Sequence, residues 1–404
     1  MDKLTETEPA RSRLIDVFRR HRNYRLFFTG QAISLVGFWM QAIAQSWLVY
    51  RMTDTPFWLG VVGFAGQIPV LLVSPFAGVI ADRLNRRRIL FVTQSVMMTS
   101  ATLFAVLTLS HVIEVWHVVA LAALSGTANA FDVPTRQSFT IEMVGKADLP
   151  RAIALNSIMF NGARLIGPAL AGLLVAAFGE GLCLALNAAS YLAVLTSLSL
   201  IRVAPLPPRA ESHPLADLRD GFVYVATHRQ IRTLLLLLGA TSLFGSAYLT
   251  LMPVFARDIL HGGSDALGFL MAAIGIGALA GALTIARVPP ALLGRVPYLA
   301  SVCLGASVIA FSHSTSFALS MVLLVPTGFA MMTLGISTNT MMQSSVDDVM
   351  RGRVMAYYVM AFIGMLPISS LITGAISHDF GAPWTLTIGG VLVILSAGVA
   401  YWRR

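Results

Sequence analysis

Apolar segments recur along the whole chain of 404 residues, and short polar stretches separate them. Twelve such segments can be delimited, and a helix of ~20 residues crosses a bilayer core of ~30 Å. The pattern therefore predicts an all-α membrane protein with twelve transmembrane helices. The predicted segments are 26–50, 57–81, 89–110, 115–143, 152–178, 182–201, 231–255, 266–286, 297–312, 316–345, 354–377 and 384–401.

A hydrophilic stretch divides the twelve segments into six and six. It is rich in proline at first, and its second part has the pattern of a short amphipathic helix. We therefore expect an N-terminal cytoplasmic segment (1–25), a first six-helix half (26–201), a cytoplasmic linker (202–230) and a second six-helix half (231–404).

The two halves share a short repeat. Asp148 and Arg151 follow the fourth segment, and Asp348 and Arg351 follow the tenth, 200 positions later. A repeat at equivalent loops indicates two related halves with pseudo-symmetry, which is the arrangement of many secondary transporters.

Composition and charge agree with a membrane protein and indicate its orientation. Only 12% of the residues are charged, against about 25% in soluble domains, and the mean hydropathy is +0.75. The net charge of +9 does not indicate nucleic-acid binding, because no soluble domain is expected to carry a basic face. Of the 28 Lys and Arg residues, 24 fall in the N-terminal segment, the C-terminus or loops on their side. This asymmetry predicts that both termini are cytoplasmic.

The stretch "GVIADRLNRRRIL", Gly78 to Leu90, lies in the loop between the second and third segments. Its arginines can be explained by orientation alone, but Asp82 cannot, because acidic residues contribute little to the orientation rule. An unpaired charge at the end of a membrane helix is costly, so we expect Asp82 to have a specific partner. Glu142, near the inner end of the fourth segment, is either solvated or in contact with these arginines.

This loop resembles the signature of the major facilitator superfamily: Gly, three residues, Asp, Arg, one residue, Gly, one residue and two basic residues. The second glycine of the signature is replaced by Asn85. Asparagine tolerates a left-handed backbone, so we expect the turn to be kept. The resemblance implies that the loop latches the two halves in the outward-open state. The matching residues are Gly78, Asp82, Arg83, Arg87 and Arg88.

Further stretches resemble one branch of this superfamily, which contains bacterial enterobactin and macrolide exporters. They include "FDVPTRQSF" (131–139), "LNSIMFNGARLIGPALAG" (155–172) and "RGRV" (351–354). Gly167, Pro168 and Gly172 also match part of a motif that the superfamily associates with antiporters. The resemblance implies a secondary transporter in the inner membrane of a bacterium.

Motifs of enzymes and metal sites are missing from the sequence. The eight histidines lie in loops or near segment ends, and Cys183 and Cys303 lie within apolar segments without a CxxC pair. Neither a metal site nor a structural disulfide is therefore expected. Without a Walker motif, direct ATP hydrolysis is not expected either. We expect neither an enzyme nor a cofactor.

Polar residues recur at helical spacing in segments 1, 4, 5 and 10. Such stripes predict either hydrogen bonds between helices or the wall of a shared, water-accessible cavity. In the superfamily, helices 1, 4, 7 and 10 line this cavity. The candidates for substrate contact are Gln41, Gln45, Asn129, Asn161 and Thr340.

Three charged residues lie well inside predicted spans: Asp132, Arg136 and Arg164. Ionisable residues in a span mark transport pathways or proton relays by default, although Asp132 could instead belong to a fixed ion pair. Asp132 and Arg164 lie at the same depth, ~18 Å from the cytoplasmic ends of their segments at ~1.5 Å per residue. We therefore predict that they pair or share a wet cavity, and that Asp132 couples proton entry to export.

Together these features predict a proton-driven exporter of an amphiphilic small molecule that is drug-like or siderophore-like. Its expected partners are the substrate, protons and membrane lipid, and we expect a monomer. A metabolite facilitator or importer and a lysolipid translocator are alternatives within transport. A non-transporting membrane sensor or scaffold is an alternative from another class, but the sequence does not predict the soluble signalling domain that it would need.

Overall fold

The computed structural model describes residues 15–202, 214–285 and 287–403, apart from the side chains of residues 15, 75–76, 78–83, 214–218, 290 and 348. Every regular element in these ranges is helical, as the apolar pattern predicted. The first half contains α1 (Ile15–Arg20), α2 (Arg22–Thr53), α3 (Pro56–Arg83), α4 (Arg86–Leu109), α5 (Val115–Phe178) and α6 (Glu180–Leu200).

A helix in the predicted linker, α7 (Pro214–Thr227), precedes the second half. A π-helical turn at Phe255–Ile259 continues the second helix of this half. The helices of the second half are α8 (Arg229–Gly245), α9 (Ala247–Val254), α10 (Ser264–Ile285), α11 (Pro290–Leu293), α12 (Val296–Ser312), α13 (Phe317–Ser345), α14 (Asp348–Phe362), α15 (Leu366–Phe380) and α16 (Ala382–Trp402).

The longest helix, α5, has 64 residues and is interrupted at Gly145, where φ is 70° and ψ is 175°. An L side chain rarely adopts this backbone conformation, so glycine allows the chain to turn here. The turn divides α5 into two spans, which correspond to the predicted segments 115–143 and 152–178.

Ten helical stretches of the described chain are long and apolar enough to cross a membrane. One of them is α5, which contains two spans, and α12 is a shorter apolar helix of 17 residues. These add up to twelve spans in the described part of the chain, which is consistent with the predicted number. The protein is a multi-pass membrane protein.

Both described ends of the chain lie at one end of the helix bundle, which we call the terminal face. Nε2 of His21 is 2.9 Å from Oδ2 of Asp148, next to the turn in α5. Arg403, just after α16, lines the same groove as Arg229 at the start of α8. We call the other end, which includes the turn at Asp54, the opposite face.

Glycines bring the two halves into close contact near the opposite face. A Cβ on Gly172 of α5 would lie 2.9 Å from the Cα of Gly268 in α10. A Cβ on Gly60 of α3 would lie 3.0 Å from the Cα of Gly374 in α15. Small residues at these positions allow backbones to approach, which is a common basis of helix packing in membranes.

Candidate functional site

A cluster of one cation and two aromatic residues lies between the halves. The guanidinium carbon of Arg164, in α5, is 5.7 Å from the ring centroid of Trp39 in α2. The backbone of Arg164 meets the second half, where a Cβ on Gly275 of α10 would lie 3.5 Å from its carbonyl oxygen, and Tyr248 of α9 lies close enough for its hydroxyl to sense the charge. We call Arg164, Trp39, Tyr248 and the neighbouring Asn161 the central cluster.

The central cluster contains polar atoms that are buried and have no hydrogen-bond partner. They are Nε1 of Trp39, Oδ1 of Asn161 and the hydroxyl oxygen of Tyr248. Buried polar atoms of this kind are uncommon, and each requires an explanation. Arg164 itself forms no ion pair with any side chain in the described part of the chain. The cluster thus offers an unpaired cation and several unused donors and acceptors.

Close helix packing positions the central cluster. A Cβ on Gly167 would lie 2.6 Å from Cβ of Trp39, so α2 and α5 meet directly beside Arg164. The ring of Phe160 packs edge-on against Trp39, with 5.8 Å between the centroids. From the second half, a Cβ on Gly275 would lie 3.5 Å from the backbone oxygen of Arg164. Both halves therefore contribute to the surroundings of Arg164.

The predicted pairing of Asp132 with Arg164 is wrong. Asp132 is 1% exposed and faces α4, where it accepts hydrogen bonds from Gln94 at 2.8 Å and Thr93 at 3.1 Å. Its ionic partner is Arg136 on the next turn of α5, with 3.4 Å between Nη2 and Oδ2. Equal depth was not sufficient for contact, because the side chains leave their helices in different directions. Asp132 points into the first half, and Arg164 points towards α2 and α9.

The other candidates for substrate contact do not form one site. Oε1 of Gln41 accepts a hydrogen bond of 2.5 Å from the buried Asn187 of α6, so this amide serves packing within the first half. Gln45 and Asn129 are half-buried, and Thr340 is exposed with its hydroxyl bonded to the carbonyl of Ile336. Of the five candidates, Asn161 alone belongs to the central cluster.

The loop between α3 and α4 is anchored to neighbouring helices. Arg86 donates a hydrogen bond to Glu142 of α5, which is one of the two alternatives considered for this acid. Arg87 donates to the carbonyls of Leu198 at 2.6 Å and Ser199 at 2.8 Å, at the end of α6. These two arginines therefore bind specific partners.

The expected left-handed turn at Asn85 is not formed. Its φ is −67°, and its side chain caps α4 by accepting a hydrogen bond from the backbone of Arg88 at 3.2 Å. Asparagine is a favoured N-cap residue, and this role requires an extended backbone. The side chain of Arg88 is exposed. Gly78 belongs to α3, and the side chains of Asp82 and Arg83 lie outside the described part of the structure.

Polar contacts join the two halves at the opposite face. Nη1 of Arg257 lies 2.6 Å from Oδ1 of Asp54, and the same guanidinium lies over the ring of Tyr50. The hydroxyl of Tyr50 in turn donates to Asp258. We call these four residues the opposite-face latch. They connect the end of α2 to the π-helical turn after α9.

Two sets of six spans with a binding region between them are the arrangement of many secondary transporters. Residues 18–404 match the family of transmembrane secretion effectors of the major facilitator superfamily. The chain belongs to this family.

Relatives along nearly the whole chain are transporters. The staphyloferrin A transporter of Staphylococcus aureus is 28% identical, over 94% of this chain and 95% of its own length. The multidrug efflux pump Tap of Mycolicibacterium fortuitum is 26% identical, over 92% and 91%. The enterobactin exporter EntS of Escherichia coli strain HS is 25% identical, over 96% and 95%. The predicted resemblance to enterobactin exporters is confirmed.

A solved structure with the same fold is that of a bacterial homologue of the human lysosomal transporter Spinster. Its TM-score is 0.73, at 13% identity, and the match covers 95% of this chain and 96% of that one. This likeness confirms the fold class.

Sequence reasoning missed two members of the central cluster, Trp39 and Tyr248. Both lie in apolar segments, where an aromatic residue gives no signal of its own. Trp39 gave no signal, because residues two apart on a helix point in opposite directions and Trp39 therefore lies away from the polar stripe that contains Gln41. Tyr248 had none, because its approach to Arg164 depends on how the two halves meet.

Proposed function

We propose that this protein is a secondary active exporter of an anionic, amphiphilic small molecule. The observation that carries the proposal is the central cluster, in which the guanidinium of Arg164 has no ion-pair partner among the described residues and lies over Trp39, where α5 meets the second half. The relatives support export of siderophore-like or drug-like compounds, since they include an enterobactin exporter and a multidrug efflux pump.

The chemistry of the central cluster favours an anionic substrate. An unpaired cation within a membrane span is costly, and a bound carboxylate or phenolate would offset that cost. Trp39 and Tyr248 add aromatic surface near the charge, together with an unused N–H and hydroxyl. These groups suit a molecule with a planar apolar part and an acidic group.

We place the protein in the bacterial inner membrane with the terminal face in the cytoplasm. The support for this orientation is the distribution of Lys and Arg, since 24 of the 28 belong to the two termini or to loops on their side. Substrate would then enter the central cluster from the cytoplasm and leave through the opposite face.

Release of substrate requires the halves to separate at the opposite face. In the described structure the halves meet there through the opposite-face latch and through the close contacts of Gly60 and Gly172. We infer that the latch stabilises the inward-open state and must break during each transport cycle. Alternating access of this kind is the general behaviour of transporters built from two repeats.

Protons remain the proposed coupling ion, with Asp132 as the proton-accepting group. Its partner in this role is Arg136 rather than Arg164. Protonation of Asp132 would weaken its attraction to Arg136 and its hydrogen bonds to α4, and would thus alter the packing of α4 against α5. We propose that the transporter acts as a monomer.

The proposed function can be tested by accumulation measurements in a bacterium that expresses this chain. The probes are staphyloferrin A, enterobactin, erythromycin and an anionic dye, each compared with an empty-vector strain. Export of an anionic substrate predicts lower accumulation of staphyloferrin A, enterobactin or the anionic dye in the expressing strain, and a decrease for erythromycin alone, which is a cation at neutral pH, would contradict the anionic class. Unchanged accumulation of every probe would overturn the export proposal, and increased accumulation of a probe would favour an importer.

A further inference from the structure

A groove of about 620 Å³ lies on the surface of the second half, between α8 and α16 at the terminal face. Its walls are apolar and exposed: Leu236 is 63% exposed, Leu395 59% and Val399 52%. Its floor is formed by the buried Leu237 and Ala400. Both helices are membrane-spanning by length and composition, so exposed apolar walls at this position face the acyl chains of lipid.

Three arginines surround the end of the groove at the terminal face. Arg229 is the first residue of α8, Arg232 lies one turn later, and Arg403 follows the end of α16. All three are exposed, and none forms an ion pair with a side chain in the described ranges. One N–H of Arg232 donates to the carbonyl of Ala226 at 2.5 Å, and its other donors stay available. No residue that lines the groove is acidic.

The groove thus combines a cationic head with an apolar tail. The three positive charges repel one another and are drawn to an anion. Arginines at the ends of membrane helices lie at the level of the lipid headgroups, where the phosphates are. Basic pockets between membrane helices bind anionic headgroups on the same grounds.

We propose that this groove is a binding site for one anionic phospholipid, whose phosphate contacts Arg229, Arg232 and Arg403. One acyl chain lies along Leu236, Leu395 and Val399. A free phosphate ion could satisfy the arginines but would leave the apolar walls uncovered, so the site is assigned to a lipid. The bound lipid connects α8, which begins the second half, to α16, which ends the chain.

Native mass spectrometry of the full-length protein tests this proposal. The protein is released from detergent in the presence of phosphatidylglycerol or phosphatidylcholine, and the retained adducts are counted. The groove variant R229Q/R232Q/R403Q is compared with R25Q/R287Q/R295Q, which removes three exposed arginines elsewhere. Because one arginine near an anionic membrane contributes roughly 1 kcal/mol, each single Arg→Gln in the groove should weaken phosphatidylglycerol binding about fivefold.

The expected result is one tightly retained phosphatidylglycerol on the wild type and on the control variant, and its loss from the groove variant. Equal retention of phosphatidylcholine, or unchanged retention by the groove variant, would overturn the proposal. Ala240→Trp keeps the three arginines and fills the apolar part of the groove, so it should also lose the lipid. Retention of the lipid by A240W would show that its acyl chain does not lie in the groove, and full displacement by inorganic phosphate would assign the arginines to phosphate alone; either result would overturn the proposal.

Discussion

Asp54 and Arg257 form an ion pair of 2.6 Å that joins the two halves of the protein at the opposite face. The pair is partly exposed, with 69% of the Asp54 side chain and 39% of the Arg257 side chain accessible. Tyr50 and Asp258 extend the contact by a hydrogen bond between the halves. The four residues connect the ends of two helices that must separate if substrate is to leave on this side.

We predict that Asp54→Asn increases the population in which the opposite face is open. An exposed ion pair contributes about 0.5 kcal/mol, so the ratio of open to closed should rise about twofold. The measurement is the distance distribution between spin labels at Val112 and Phe317, two exposed residues of the opposite face, in a variant without Cys183 and Cys303.

Two further variants make the latch test specific. Asp379→Asn removes an exposed acid of the second half whose partner is the adjacent His378, and it should leave the distribution unchanged. The reversed pair D54R/R257D should restore the wild-type distribution. A distribution that does not respond to Asp54→Asn would show that the ion pair does not hold the halves together.

Asp132→Asn is predicted to abolish transport against a gradient. Asparagine keeps the shape of the side chain and can still accept hydrogen bonds from Gln94 and Thr93. It removes the carboxyl group that exchanges a proton and the negative charge that attracts Arg136. The measurement is proton-driven accumulation in inside-out vesicles, beside exchange of labelled for unlabelled substrate without a gradient. Exchange should persist, and Asp265→Asn, a change at the start of α10, should affect neither.

Accumulation by Asp132→Asn at the wild-type rate would place proton coupling elsewhere and leave the Asp132–Arg136 pair with a structural role. Arg164 substitutions should reduce substrate transport without moving its pH dependence, because Arg164 does not contact Asp132.

Glu142→Gln is predicted to destabilise the protein more than Glu180→Gln. Arg86 and Glu142 are both nearly buried, at 12% and 7% exposure, so water replaces little of the contact when it is lost, and its loss should cost more than loss of an exposed pair. Arg51, the partner of Glu180, is 56% exposed, so water can solvate it when Glu180 is neutralised. The unfolding temperature of each variant in detergent is the measurement. An equal decrease in the two variants, or a larger decrease in Glu180→Gln, would contradict the role given to the Arg86–Glu142 contact.

Gly167→Ala is predicted to impair substrate binding, and Gly162→Ala is its matched control. A Cβ at 167 would lie 2.6 Å from Cβ of Trp39, so Trp39 must shift relative to Arg164 or α2 must move away from α5. A Cβ at 162 meets nothing within 4 Å, and alanine is favoured over glycine in a helix by about 1 kcal/mol. Gly162→Ala should therefore transport normally and unfold at an unchanged or higher temperature. Normal transport by Gly167→Ala would show that Trp39 does not contribute to substrate binding.

The positions of the spans could be predicted closely from the sequence. The segment predicted at 57–81 is the helix Pro56–Arg83, and that predicted at 384–401 is Ala382–Trp402. Hydropathy predicts spans well because a bilayer imposes both their length and their apolar character.

The rotation of each helix about its axis could not be predicted in the same way. Asp132 and Arg164 were placed at the same depth, but their partners depend on which neighbour each side chain faces. That direction is set by packing, such as the contact of Gly167 with Trp39, and by polar residues of other helices, such as Gln94. The backbone conformation of Asn85 was predicted from the tolerance of asparagine for a left-handed backbone. Its conformation is instead set by its role as the N-cap of α4.

The most direct test of the account is uptake of staphyloferrin A, enterobactin and erythromycin into inside-out vesicles that contain the wild type, Arg164→Gln or Arg295→Gln. A hydrogen bond to a charged group contributes about 1.5–3 kcal/mol, so loss of the Arg164 guanidinium should reduce transport tenfold or more. We predict that staphyloferrin A or enterobactin accumulates with the wild type and with Arg295→Gln, but not with Arg164→Gln. Equal uptake by Arg164→Gln and the wild type, or no uptake of any compound by the wild type, would contradict it.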